Sequence, residues 1–407
     1  MATWFSSETS HPAFDIKSTP AVSYGLPFPE ACAVHVKGNL SSHRVYIIAS
    51  ASLTRNTDAL DRLKKALGDR VAGVHVGIGS HTPIQELVPI IAEAKDLGVD
   101  CLVTLGAGSI TDGAKLIRFA LANKVYSVAD ICSIRGERPH NWIHPSIPLI
   151  CIPTTLSGGE YQAIAGATEE KKRQKMVFDP IRDPDLVIQD PELCTTTPER
   201  IWLSTGIRAV DHCVETLCSR LSNEEADTWA KRGLERLAGA LLKCKQDPTD
   251  LEARHQCQTG VVEAMRAVSC GVPLGGSHAI GHQLGPLGVS HGETSCILLP
   301  AVCSFNSQDP INAEKQAVVI QILRESEIIS EMLASEDVDQ SQADLATVLD
   351  VYLRNLGMPR TLDDVGFNPD KLDMLVTNSL TDHWITTNAI PITKESQVRE
   401  ILAKVTG

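Results

Sequence analysis

Basic blocks are scarce in this 407-residue sequence. Its 37 Lys and Arg are outnumbered by 50 Asp and Glu, a net charge of −13. The basic residues gather only in the short run Lys171-Lys172-Arg173, which makes nucleic acid and anionic membrane poor partners. No stretch approaches the roughly 20 apolar residues of a membrane span. The opening MATWFSSETSHPAFDIKS has no apolar core region and no lysine or arginine before Lys17, so neither a secretory signal nor an Arg-rich transit peptide is expected. The 12 cysteines include no C-x-x-C pair. Several, such as Cys151 in Leu149-Ile150-Cys151-Ile152, sit inside apolar runs where cysteine acts as a small core hydrophobe. A reducing compartment, and with it a cytoplasmic location, is the expectation. Internal repeats and low-complexity segments are also absent.

With 43% hydrophobic and 21% charged residues the chain has the composition of an ordinary soluble globular protein, and its length predicts two domains. Residues 1–30, rich in Ser, Pro and Thr, read as an extended arm over the surface. From 31 to 195 short apolar runs alternate with amphipathic stretches. Strands are predicted at Val45–Ala49, Val71–Val76, Cys101–Leu105, Leu149–Ile152 and Leu186–Ile188. Helices are predicted at Thr57–Leu67, Pro83–Leu97 and from the loop after Leu105 through Leu121. That alternation predicts an α/β domain with a parallel sheet. From 196 to 407 helical periodicity takes over, at Ile201–Leu221, Ala226–Lys245, Leu251–Val268, Pro310–Ala334, Asp344–Leu356, Lys371–Leu380 and Glu395–Val405. The second domain is predicted to be all-helical.

Four stretches carry chemistry. Ser277–Gly292, SHAIGHQLGPLGVSHG, holds His278 and His282 four apart, on one face of a helix that Gly285-Pro286 ends, and then His291. Such a trio suits a metal site or a proton relay; the plain alternative is three imidazoles facing water. Thr104–Lys115, TLGAGSITDGAK, is a strand, a small-residue loop and a helix start. Gly106 and Gly108 let backbone N–H groups meet a pyrophosphate, and Ser109 adds a hydroxyl. A glycine turn needed only for geometry is nearly as good a reading of that motif alone. Ile152–Gly159, IPTTLSGG, is a second such loop, with Thr154, Thr155 and Ser157. Two hydroxyl-rich loops at the carboxyl ends of strands favour a dinucleotide. In TGIRAVDHCVE (Thr205–Glu215), Arg208 and His212 share a helix face that the surrounding apolar residues predict to be buried, with Asp211 about 100° from His212.

Taken in order, GAGSITDGAK, IPTTLSGGE, GIRAVDHCVE and HAIGHQLG…SHG…LLP resemble the iron-type alcohol dehydrogenase and dehydroquinate-synthase-like superfamily, over nearly the whole chain. The resemblance implies a Rossmann-like NAD(P)-binding domain, a helical catalytic domain, an active site in the cleft between them, and commonly a homodimer. Ser80-His81-Thr82-Pro83 and the short PTTLSGGEY are most similar to maleylacetate reductases; Thr387–Pro391 resembles the family's closing NPRP with two changes. The cofactor set implied is Ser50, His81, Thr82, Gly106, Gly108, Ser109, Asp112, Thr154, Thr155 and Ser157. The catalytic set is Arg208, His212, His278, His282 and His291, with Lys175 matching a family lysine near the threonine loop.

Two departures bear on chemistry. Metal-dependent members hold a divalent ion with an Asp and a His four apart on the 205–215 helix and two later histidines. Here the histidines stand as His212, His278 and His291, while the aspartate position is Arg208. A guanidinium is not a ligand and repels a cation, so a bound divalent metal is not expected and Arg208 is expected to steady a reacting anion. The interval from His278 to His291 is also one residue shorter than in the family. The second departure is Ser50, where NAD-preferring members tend to carry Asp; NADPH is then tolerated alongside NADH. The reaction implied is reduction of a small conjugated oxo-acid, as in maleylacetate to 3-oxoadipate. Two alternatives stay open: a metal-dependent alcohol or hydroxyacid dehydrogenase, and a non-redox lyase, isomerase or cyclase on the same fold.

Overall fold

The computed structural model describes residues 7–135, 142–171, 174–336, 338–339 and 342–406. Lys172 and Arg173 of the basic run, and the first six residues of the expected arm, lie outside them. The chain divides into two compact units, Met1–Thr197 and Pro198–Gly407.

The first unit runs β1 (Thr9–Phe14), β2 (Lys17–Tyr24), α1 (Phe28–Lys37), β3 (Val45–Ala49), α2 (Ala51–Asn56), α3 (Ala59–Leu67), β4 (Val71–Val76), α4 (Ile84–Asp96), β5 (Cys101–Gly106), α5 (Gly108–Asn123), α6 (Val128–Ser133), β6 (Leu149–Pro153), β7 (Ala165–Glu169), β8 (Gln174–Phe178), β9 (Leu186–Ile188) and α7 (Pro191–Cys194). Seven strands form one sheet in the order β1-β2-β9-β6-β5-β3-β4, with β1 antiparallel to β2 and the remaining pairs parallel. The central strands β3, β5 and β6 are buried along their whole length; their unbroken apolar runs are what a parallel sheet covered on both faces requires. β7 and β8 form a separate antiparallel pair. The expected arm over residues 1–30 is not found. Its described residues form β1, β2 and the start of α1, because Pro20 and Val22 alternate into the core and Phe14 is buried at the β1 end. The Ser and Thr between them masked that period of two.

The second unit runs α8 (Glu199–Cys218), α9 (Glu224–Gln246), α10 (Leu251–Ser269), α11 (Gly276–Leu284), α12 (His291–Asn306), α13 (Pro310–Arg324), α14 (Glu327–Ser335), α15 (Leu345–Asn355), α16 (Leu372–Ser379) and α17 (Glu395–Leu402). α8 is buried for most of its length and packs on α9, α10 and α12. Ile280, Leu284, Ile297 and Leu298 join residues of α16 and α17 in the core beside α11 and α12. The single helix expected at 310–334 is two, because Ser326 takes extended backbone at the cap position and starts α14. Among the described residues, no helix is long and apolar enough to cross a membrane.

Candidate functional site

In the first unit the sheet changes winding direction between β3 and β5: β4 lies outward of β3, while β6, β9 and β2 follow on the other side of β5. Such a reversal opens a crevice at the carboxyl ends of the strands. Ser50 follows β3, Gly106 ends β5 and Thr154 follows β6, so three of the expected cofactor residues stand there. The Ser50 N–H donates to Leu105 O (2.8 Å) and the Thr154 N–H to Gly106 O (3.2 Å), locking the three strand ends in register. A Cβ at Gly106 would come within 2.9 Å of Ser50 Cβ, and one at Gly108 within 3.1 Å of Ser157 Oγ. Both loops close on α5 only because side chains are missing there. α5 is 16 residues long with Ala107 at its cap position, so no side-chain oxygen of the cap residue competes for the first-turn N–H groups.

The other residues expected here brace that crevice. Thr155 and Ser157 hydroxyls are 3.3 Å apart. Thr82 Oγ1 donates to Ser109 O (3.2 Å), and Thr168 Oγ1 to His81 O (3.1 Å). Asp112 is engaged from within the protein. Its Oδ1 receives Lys115 Nζ (3.2 Å) and its Oδ2 the Gly166 N–H (3.1 Å), so it ties α5 to β7. The fully buried Lys115 also donates to Gly159 O and Ile164 O, clamping the loop after β6. Lys175 lies exposed on β8; burial, and then the Lys175 charge, hold the His81 imidazole below its ordinary pKa.

The second unit gathers the five expected catalytic residues. α11 starts against α8: the Gly275 and Ser277 N–H groups each donate to Glu215 at 2.8 Å. A carboxylate from another helix thus satisfies the opening donors of α11. A Cβ at Gly275 would stand 2.9 Å from Asn388 Oδ1 and 3.1 Å from Glu215 Oε1, so the glycine lets the carboxyl approach closely. His278 Nδ1 is 2.8 Å from Glu215 Oε2 and 3.5 Å from Asp211 Oδ2. Ser277 Oγ donates to Asp211 Oδ2 (2.7 Å). The His212 ring stacks on His278 with centroids 4.7 Å apart. Arg208 is turned inward, 4% exposed, and its Nη1 donates to Ser295 Oγ (3.2 Å) and Thr294 Oγ1 (3.5 Å).

Burial dominates the electrostatics of this cluster. It lowers the pKa of Arg208 from its ordinary value, against the pull of Asp211, Glu215 and Asp382. Burial and then the Arg208 charge drive His212 down to about 3 and His278 well below the ordinary histidine range, so both imidazoles are neutral. Burial pushes both carboxyls up. For Asp211 the Arg208 charge and the Ser295 and Ser277 hydroxyls pull the other way; for Glu215 the neighbouring Asp211 adds to the rise. Two carboxyls facing one guanidinium in a dry site hold about one negative charge between them, which balances Arg208.

One turn along α11 the surroundings open. His282 Nδ1–H donates to Asp382 Oδ2 (2.9 Å), and the His282 side chain is 20% exposed. Its ring lies parallel to that of His291, centroids 6.0 Å apart, and tilted against Trp384 at 5.3 Å. His291 therefore joins the other imidazoles despite the shortened interval, because only three residues separate the tight Gly285–Leu287 turn from the start of α12.

Asp211, Glu215 and His278 bring ligand-type atoms within 4.8 Å of one another, so these residues pose the question of a metal ion. Their chemistry fits one poorly. Glu215 accepts from two backbone N–H groups and faces His278 Nδ1, Asp211 accepts from Ser277, and a buried cation lies beside all three. An ion there would break the start of α11 and sit against a guanidinium. The open nitrogens are elsewhere: His212 Nδ1 and His278 Nε2 are buried with no hydrogen-bond partner.

Sequence reasoning passed over Glu215, Ser295, Asp382 and Trp384. Glu215 had a signal: Arg208, Asp211, His212 and Glu215 recur at i, i+3, i+4 and i+7, a polar stripe on a helix otherwise apolar enough to be buried. Asp382 had none, since 100 residues separate it from His282.

Known proteins share this fold. Residues 28–191 match the family model described as iron-containing alcohol dehydrogenase, and residues 202–406 match the C-terminal model of that family. The chain is similar to dehydrogenase FUM7 of Gibberella moniliformis, at 36% identity over 96% of this chain and 97% of that protein. It is similar to maleylacetate reductase 1 of Cupriavidus pinatubonensis, at 27% identity over 90% of each. The iron-containing alcohol dehydrogenase structure from Thermococcus thioreducens has the same fold, with a TM-score of 0.78 at 20% identity over 95% of this chain and 98% of that one. The chain belongs to the iron-containing alcohol dehydrogenase family and is an oxidoreductase.

Proposed function

We propose that the protein is an NAD(P)H-dependent reductase of the maleylacetate reductase type, reducing a small oxo-acid with a conjugated, enolisable double bond without a bound metal ion. The observation that carries this reading is the buried Arg208 guanidinium beside neutral His212 and His278. Hydride addition to such a substrate builds enolate charge on the carbonyl oxygen, and a fixed cation in a dry site stabilises it. Ser295 and Thr294 hold the guanidinium in place, and Asp211 neutralises it in the resting protein. His282, the more open imidazole, delivers the proton. In the first unit the start of α5 and the loop after β6 hold the pyrophosphate, with Ser50 at the ribose, and the nicotinamide supplies the hydride. Asp112 and Lys115 support that loop from behind.

A second reading, a metal-dependent dehydrogenase, is favoured by the unpartnered His212 Nδ1 and His278 Nε2, which are lone-pair sites of the kind a metal takes. The two readings divide on Arg208. Arg208→Met alone strands Asp211 in the core and is expected to lose about 3–5 kcal/mol of stability. Arg208→Met combined with Asp211→Leu removes the charges together and is expected to regain most of it. Maleylacetate-dependent NADPH oxidation should nevertheless fall by roughly 10²–10³-fold in the double variant. Wild-type turnover in that variant would refute the role of Arg208.

A further inference from the structure

His282 is held from three directions. Asp382 Oδ2 accepts from its Nδ1 at 2.9 Å, the Trp384 ring lies against it at 5.3 Å, and His291 stacks in parallel at 6.0 Å. The Asp382 carboxylate is itself fixed, because its Oδ1 receives the Trp384 N–H at 3.0 Å. Its side chain is 8% exposed against 20% for His282, so the carboxylate stands behind the imidazole, on its drier side. With Nδ1 given to a carboxylate, the nitrogen left to meet substrate is Nε2.

We propose that Asp382 is a positioning residue: it fixes the His282 ring and tautomer so that Nε2 carries the proton exchanged with substrate. The inference rests on the reading of His282 as proton donor in an oxidoreductase, and it extends that reading to a residue 100 positions away. In the reduction direction the imidazolium N–H bond at Nε2 breaks as the bond from that proton to the substrate forms. Neutral His282 keeps its Nδ1–H on Asp382, and solvent restores the proton at Nε2. No further reactant is needed. A carboxylate at Nδ1 favours the imidazolium, as an opposite charge does at short range. The rings of His278 and His291 also face His282, with centroids at 6.4 and 6.0 Å. The pKa of Asp382 agrees with this contact: burial raises it, but the His282 hydrogen bond and charge, the Trp384 N–H and His383 together leave it below the ordinary aspartate value.

Asp382→Asn tests this without removing the acceptor for Trp384, since the amide oxygen can take that N–H while the amide NH₂ faces Nδ1. The tautomer then reverses. In ¹⁵N-histidine spectra of the full-length protein, the His282 signals (assigned by their loss in His282→Gln) should show protonated Nδ1 in wild type and unprotonated Nδ1 in Asp382→Asn. An unchanged tautomer would overturn the proposal whatever the substrate proves to be. With NADPH and maleylacetate, kcat should fall about 10²-fold with KM within about twofold. Asp382→Glu should recover part of kcat. A variant with altered spectra but wild-type kcat would also overturn it, because the role would then be structural only. Should wild type fail to turn over maleylacetate, the substrate reading falls, and the spectra still decide whether Asp382 sets the His282 tautomer.

Discussion

Two imidazole–carboxylate pairs stand four residues apart on α11, with nearly equal contacts: His278 to Glu215 at 2.8 Å and His282 to Asp382 at 2.9 Å. Their acids respond in opposite directions. Glu215 is driven up to about 8 by burial and by Asp211, whereas Asp382 ends below its ordinary value because His282, the Trp384 N–H and His383 together outweigh its burial. Contact distance does not decide what such a pair does; the neighbours do. The dry pair holds α11 in place and shares charge with Arg208. The pair nearer solvent is able to exchange protons.

The comparison breaks most visibly in stability. Glu215→Ala leaves two buried N–H groups without their acceptor and His278 Nδ1 without its partner, and about 3 kcal/mol or more should be lost in denaturant titration. Asp382→Ala, at a partly exposed pair, should lose about 1–2 kcal/mol. Equal losses would erase the distinction. Glu215 also sets a pH dependence. Its folded pKa lies above the ordinary 4.5, so its contribution is complete below pH 4.5 and disappears as pH rises through about 8. The midpoint of thermal unfolding should therefore fall over that range in wild type, and fall less in Glu215→Gln.

A smaller effect is expected in the first unit. Ser50→Asp keeps a cap for α2 but places negative charge at the end of β3, and should shift the kcat/KM ratio towards NADH by about tenfold, ~1.4 kcal/mol. A ratio unchanged by the variant would remove Ser50 from the cofactor site.

Much of this was legible in the sequence because it is local. Apolar runs placed the central strands, and the i,i+4 histidines with Gly285-Pro286 placed α11 and its turn. The departure at Arg208 was readable because a guanidinium cannot replace an aspartate as a ligand. The hairpin β1–β2 was not readable, since its polar strands gain their burial only by joining a sheet whose other members lie far along the chain. Asp382 was hidden for a related reason: its partner is set by tertiary packing, and nothing in its own neighbourhood marks it.

The claim that the working cation is Arg208 meets its most direct test in elemental analysis of the purified protein, paired with NADPH-dependent reduction of maleylacetate before and after exhaustive chelation. The account predicts well under one equivalent of Fe or Zn per chain and full activity after chelation. Stoichiometric metal, with activity lost to EDTA and restored by Fe²⁺ or Zn²⁺, would contradict it.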